Sequence, residues 1–178
     1  MNSIYNTLFE MMQDRGYSAE RKSTNNIELD DFNIIFTKNK TTCMIFYIHD
    51  AKVGINHIKS IIENIELKNC NNAIIIYSLA VTSFAKQFLD TSNYNIELFH
   101  ENELLKNITN HYLVPKHKLL NKSDIKNLLE NLQIKQINLP RVKKYDPISK
   151  YYAAQKNDVF EITRYDNDVK SFYYRLVY

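Results

Sequence analysis

The apolar positions of the first hundred residues change period several times, and each change marks an element. Ile4, Leu8, Met11 and Met12 fall at i, i+4, i+7 and i+8. That is one face of a helix over residues 1–15, with Ser3 as its cap and Gly16 at the left-handed position that closes it. Residues 18–31 are polar and read as a surface loop. Phe32 to Thr37 and Thr41 to Ile48 are apolar, β-branched or aromatic runs separated by a turn at Lys38-Asn-Lys-Thr41, which predicts a hairpin. Ile55, Ile58, Ile61, Ile62 and Ile65 line one face of a helix over 52–65. Ala73 to Ser78 is a continuous apolar run that suits a strand covered on both sides. Thr82 to Leu89 reads as a short helix with Phe84, Phe88 and Leu89 inward, Ile96 to Phe99 as a strand, and Glu101 to Asn107 as a further helix. This alternation predicts an α/β layered domain with some parallel pairing, over residues 1–108.

Beyond residue 108 the punctuation changes, because all three prolines lie there. Pro115 forces Val114 into an extended path and stops any preceding helix; Pro140 acts in the same way on Leu139. Asp146-Pro147 has the form of a helix start, with Asp as N-cap and Pro at the first helical position, so a short helix is expected over Pro147 to Ala153. A helix over 123–132 would be capped by Ser123 and would bury Ile125, Leu128, Leu129 and Leu132, followed by an extended Gln133 to Ile137. Asp158 to Arg164 and Ser171 to Tyr178 alternate like the strands of a hairpin turned at Tyr165 to Asp168. The fold class is therefore an α/β N-terminal domain followed by a small α+β domain over 109–178.

Composition narrows the function. Two glycines in 178 residues leave no material for a Gly-rich phosphate loop, and no such motif is present. The net charge of +3 permits contact with a polyanion without demonstrating it. Cys43 and Cys70 are too few for a disulfide framework or a zinc site, which points to a reducing compartment. No apolar run approaches the roughly 18 residues of a membrane span, and the N-terminus lacks a signal pattern, so no membrane partner is expected.

Candidate chemistry is sparse. No serine sits in a nucleophile elbow, and none of the five histidines has the company of a zinc motif; His49 with Asp50 and His57 is the one grouping with metal-ligand types. Asp50 followed by Glu66-Leu67-Lys68 spells the D…E-x-K order of metal-dependent nucleases, in which carboxylates hold Mg²⁺ and the lysine steadies the attacking water or the transition state. That chemistry needs the triplet on a strand edge beside the aspartate, whereas Glu66 ends the isoleucine-rich helix. Arg21-Lys22, Lys38 with Lys40, and Lys143-Lys144 are small basic pairs, suited to solvent or to backbone-directed contacts with a nucleic acid.

Four stretches of the tail carry a resemblance. His111-Tyr-Leu-Val-Pro-Lys-His117, Asn138-Leu-Pro-Arg141, Asp146-Pro-Ile-Ser-Lys-Tyr151 and Tyr174-Arg-Leu-Val177 stand in an order that resembles the assembly domain of the fifth subunit shared by the eukaryotic nuclear RNA polymerases. A small component of the archaeal polymerase is similar to that domain alone. Earlier pieces, Asp14-Arg-Gly-Tyr17, Lys52-Val-Gly-Ile55, Ala73-Ile-Ile-Ile76 and Glu97-Leu-Phe99, are similar to the jaw domain of the same eukaryotic subunit. The match is thinnest over 18–40, where the family has a longer segment. The tail also departs from the family, with Ala153 and Asn157 where relatives have glycines and a shorter loop at 165–170.

The resemblance implies a non-catalytic structural subunit of a multisubunit DNA-dependent RNA polymerase, needing no cofactor. Its jaw would lie near downstream duplex DNA, in non-specific and weak contact. Its assembly domain would dock on the largest polymerase subunit through His117, Arg141, Tyr151, Arg164 and Arg175, within reach of the other subunits. Its location would be the nucleus for a cellular member, or the host cell and virion for a viral one; the reduced length suggests a compact genome, either a large DNA virus or a reduced intracellular eukaryote. A competing role for Arg164 and Arg175 is pairing across the hairpin through Asp146 or Glu161. The rival functions are a small Mg²⁺-dependent nuclease using Asp50, Glu66 and Lys68, and a free-standing adaptor that reuses the fold.

Overall fold

A computed structural model describes residues 2–19, 34–38, 41–49, 52–70, 72–167 and 169–178. Most of the expected 18–31 loop, together with Phe32, Lys40, Asp50 and the Arg21-Lys22 pair, lies outside the described residues. The chain divides into two compact units, Met1–Lys106 and Asn107–Tyr178. The architecture is mixed α+β, with one sheet in each unit.

In the first unit, helix α1 (Asn2–Asp14) buries Leu8, Met11 and Met12. It starts at Asn2, so Ser3 lies inside the helix and is not its cap. Its end is the expected left-handed closure. Gly16 has φ +81°, the Gly16 amide donates to the Gln13 carbonyl, and the Tyr17 amide reaches back to Met12. The sheet runs in the order β1 (Ser18–Ala19), β2 (Ile34–Lys38), β3 (Thr41–Ile48), β4 (Asn72–Tyr77), β5 (Asn95–His100). The first three pair antiparallel, with Lys38 opposite Thr41; β3, β4 and β5 are parallel. Helices α2 (Ile55–Leu67) and α3 (Ser83–Thr91) supply the crossovers that parallel pairing requires.

Strand β4 is central and buried from Ala73 to Ile76, because side chains alternate between two covered faces. Ala73 and Ile75 pack with Met44, Phe46, Ile61, Ile65 and Cys70 of one cluster. Ile58 of α2 and Ala85 of α3 meet Val53 in a neighbouring cluster. One expectation for α3 fails. Phe84 is 72 % exposed, and the fully buried residue of that turn is Ala85. Ala85 is the position of that turn that packs with Val53 and Ile58. Short helix α4 (Glu101–Leu104) stops earlier than the sequence pattern suggests and is followed by a 3₁₀ turn at Ile108–Asn110 in the second unit.

In the second unit, strands β6 (Lys116–Leu119), β7 (Arg141–Val142), β8 (Val159–Asp166) and β9 (Val169–Val177) form a sheet in the order β6-β8-β9-β7. The β8–β9 hairpin is the expected one, with a tighter turn, since Asp166 already pairs with Val169. Helix α5 (Lys122–Leu132) lies against one face and α6 (Pro147–Tyr151) against the other. Asp146 caps α6 as expected, its carboxylate accepting from the Ile148 amide at 3.0 Å. The cap of α5 is Asn121, which accepts from the Asp124 amide at 2.8 Å, and Ser123 donates to the same oxygen. Leu132, expected inward, is exposed at the last turn, where Gln133 takes a left-handed conformation and leads into a 3₁₀ turn at Gln136–Asn138, not an extended segment.

Candidate docking surface on the C-terminal unit

Alternation along β8 and β9 assigns every side chain of the second sheet to a face. Phe160, Ile162 and Arg164 of β8 stand opposite Arg175, Tyr173 and Ser171 of β9, and His117 of β6 stands opposite Ile162. This face is covered at its inner end by α6, where Ile148 and Ala154 pack with Phe160, Ile162 and Val177. Its outer end is open. Arg164 and Tyr173 are exposed toward that end, Arg175 is exposed beside Phe160 in the inner row, and the Arg164 guanidinium lies 5.0 Å from the Tyr173 ring centre.

His117 forms the border between the covered and open parts. Its ring meets Phe160 edge-on at 5.8 Å, and its Nδ1 lies 2.7 Å from the Pro115 carbonyl. A carbonyl only accepts, so Nδ1 carries the proton and donates. Burial pushes the imidazole below its ordinary pKa; the bond to Pro115 and the Asp146 carboxylate oppose the shift, and Arg175 and Arg164 add to it. His117, Asp146, Arg164 and Arg175 therefore form one electrostatic neighbourhood with two fixed positive charges at its exposed side.

The five residues drawn from the sequence do not share one surface. Arg141 is exposed but pairs in register with Leu176, which places it on the α5 side of the sheet. Tyr151 is 4 % exposed; its hydroxyl accepts from the Asn107 amide nitrogen at 3.1 Å, and its ring packs edge-on against Tyr152. A residue buried to that degree is part of the core and offers a partner no contact area. Tyr173, which the sequence reading did not single out, joins the exposed set. Its signal was its place two residues before Arg175 on an alternating strand, the spacing that puts both on one face.

The nuclease constellation is differently placed. Glu66 and Lys68 lie at the C-terminal end of α2, both exposed, and the Glu66 carboxylate accepts from the Tyr94 hydroxyl at 2.8 Å. They are not on a strand edge, and Asp50 lies outside the described residues. His57 accepts from the Gly54 amide at the start of the same helix. Lys38 donates to the Arg15 carbonyl and lies over the Tyr17 ring, so it serves the closure of α1.

Comparison with known proteins divides the chain at nearly the same point as its contacts do. Residues 106–177 match the family model described as RNA polymerase Rpb5, C-terminal domain. Residues 4–108, more than half of the chain, match the model described as Restriction endonuclease. Among whole proteins, the chain is 32 % identical over 173 residues to the DNA-directed RNA polymerases I, II, and III subunit rpabc1 of Dictyostelium discoideum, covering 90 % of this chain and 88 % of the relative. It is 30 % identical over 183 residues to the RPABC1 subunits of Caenorhabditis elegans and Caenorhabditis briggsae, covering 90 % of this chain and 87 % of each. A likeness of that extent, running through both units, is the mark of common descent: the chain belongs to the RPABC1, or Rpb5, family, with a first unit that also falls within the restriction endonuclease model.

Proposed function

We propose that this chain is a structural subunit of a multisubunit DNA-directed RNA polymerase, itself non-catalytic, working in the nucleus where the polymerase is a cellular one. The observation that carries the proposal is the likeness to RPABC1 subunits over 90 % of the chain. In this reading the first unit is the jaw, near downstream duplex DNA, and the second is the assembly domain, anchored on the largest subunit. Nucleotidyl transfer belongs to the large subunits, and this chain supplies shape and anchorage.

The anchoring surface is the exposed part of the α6 face. Arg164 and Arg175 offer planar, permanently charged groups that suit bidentate contact with carboxylates of a partner, and Tyr173 adds a rigid aromatic surface. His117 orients that surface from its rim, and Tyr151 supports it from beneath by holding α6 in place. Arg141 would reach the partner from the other side of the sheet.

The test is affinity capture of the tagged chain from its native cell, beside a variant with Arg164 and Arg175 changed to Ala. Both large polymerase subunits should be recovered with the native chain and lost with a variant that keeps its far-UV circular dichroism. Recovery by both keeps the function and removes the surface. Absence from the native capture leaves a free-standing adaptor.

The restriction endonuclease match favours one second reading, cleavage of DNA by Asp50, Glu66 and Lys68 with Mg²⁺. The position of Glu66 and Lys68 at a helix end opposes it. Incubation of supercoiled plasmid with the chain and Mg²⁺ decides: no nicking, or nicking that survives Glu66→Ala, removes this reading.

A further inference from the structure

The α5 side of the second sheet is covered only in part. Helix α5 and the segment after it close over Val159 and Leu176, with Leu120 and Leu139. Toward the hairpin end the described residues leave the sheet face largely exposed. Its first bare row runs Lys116, Thr163, Phe172 across β6, β8 and β9, and the next outward pairs Tyr165 with Lys170. The row on the inner side runs Lys118, Glu161, Tyr174. Phe172 is 48 % and Tyr165 71 % exposed, and the Lys170 ammonium lies 4.8 Å from the Phe172 ring centre. The three lysines are exposed. The acid on this strip, Glu161, accepts from the Tyr174 hydroxyl at 3.3 Å. Helix α5 adds as many acids as bases, Asp124 and Glu130 against Lys122 and Lys126, and pairs two of them.

From this we infer that the α5 side of the assembly sheet binds single-stranded nucleic acid without sequence preference, Phe172 and Tyr165 stacking on bases and Lys116, Lys118 and Lys170 holding phosphates. Neighbouring rows on one face of a strand stand about 6.8 Å apart, a step that an extended nucleotide backbone can follow. Two aromatic rings on a flat, open surface reward a ligand whose π-faces are free; in a duplex those faces are already stacked on one another. Lysines spread around the rings favour a polyanion over a neutral peptide. Neither ring nor ammonium reads the 2′-hydroxyl, so DNA and RNA should bind alike. The inference stands on this face alone and does not depend on the polymerase reading, whose Arg164, Tyr173 and Arg175 lie on the opposite face.

The experiment is fluorescence anisotropy of labelled dT₁₂ and U₁₂ with the full chain. Both should bind, and bind more tightly than a 12-base-pair duplex. Phe172→Ala and Tyr165→Ala should each weaken binding about tenfold, since stacking on one aromatic is worth that much per base. Replacing Lys116, Lys118 and Lys170 by Gln should flatten the log–log salt dependence by about 2, at about 0.7 for each phosphate contact in a single strand. These side chains are on the surface, so unchanged circular dichroism is the control. The inference is overturned if neither oligonucleotide binds at low salt, if the Phe172→Ala/Tyr165→Ala double variant binds like the native chain, if the duplex binds as well as the single strands, or if poly-glutamate of equal charge displaces dT₁₂ as efficiently as unlabelled dT₁₂ does. The last result would mark the face as a site for an acidic protein. Polymerase recovery with the Phe172→Ala/Tyr165→Ala variant keeps a failure here separate from a failure of the polymerase reading.

Discussion

Arg15 and Glu97 are 82 residues apart and form the ion pair that ties the end of α1 to β5. The guanidinium donates to the two carboxylate oxygens at 2.9 and 2.8 Å, a bidentate geometry. It also lies 6.0 Å from the Phe99 ring centre. The Arg15 side chain is 6 % exposed and that of Glu97 21 %. This asymmetry decides which single change costs more. Glu97→Leu removes the bidentate partner of a guanidinium that water hardly reaches. Breaking a buried pair from one side costs about 3–5 kcal/mol, and the partial exposure of Glu97 places this case near the lower figure, about 3 kcal/mol. Arg15→Met leaves a carboxylate that water already touches and should cost less, about 1–2 kcal/mol. The double variant removes both charges and replaces them with apolar groups of similar size, so it should return to within about 1 kcal/mol of the native chain.

Amide hydrogen exchange at Ile74 and Ile75, in the centre of β4, reports opening of the first unit by itself. A loss of about 3 kcal/mol appears as exchange about 100-fold faster, since every ~1.4 kcal/mol is tenfold. The reasoning is refuted if Glu97→Leu accelerates exchange by less than tenfold, or if the double variant exchanges as fast as Glu97→Leu alone. The second outcome would mean that the loss comes from packing and not from an uncompensated charge.

Three further predictions concern the second unit. Ala153 holds φ +53°, where a Cβ is strained; Ala153→Gly should raise the unit's stability by about 0.5–1 kcal/mol, read as a higher urea midpoint of the β8 amide signals, and a lower midpoint would contradict it. Ser149 is fully buried in α6 and its hydroxyl finds no hydrogen-bond partner among the described residues, so Ser149→Ala should be neutral or stabilising by about 1 kcal/mol in a thermal melt, whereas a larger loss would reveal a bond to the hydroxyl. The folded unit holds His117 below its ordinary pKa; the unfolded chain therefore binds that proton more readily. Stability from this residue is complete above about pH 6.5 and is lost as pH falls through the lowered folded value. The urea midpoint should decline between pH 7 and 5, and His117→Gln should flatten that decline; an unchanged slope would show that other groups set it.

Much of this protein was legible from local patterns, because the relevant forces act within a few residues. The closure of α1 needed only a glycine after a helical stripe, and Gly16 supplied it. The continuous run at Ala73–Ile76 could satisfy two covered faces only as a central strand. Asp146-Pro147 began α6 because an N-cap carboxylate and a fixed proline φ act on their own turn. Asn157, which the resemblance set at a position of positive φ, takes φ +74°.

Tertiary structure decided what depends on neighbours distant in sequence. Phe84 and Leu132 belong to the apolar positions of their helices yet are exposed, since burial requires another element to cover the position and the stripe alone does not supply one. Tyr151 went into the core while Arg164 and Arg175 stayed at the surface, a division that hydropathy alone does not draw. The partnership of Arg15 with Glu97 has no signal in either segment, since it exists only once α1 has been laid across the sheet. Strand register made the remaining decision: with a period of two, it sent Arg164, Tyr173 and Arg175 to one face and Lys170, Phe172 and Tyr165 to the other, and so separated two surfaces that are interleaved in the sequence.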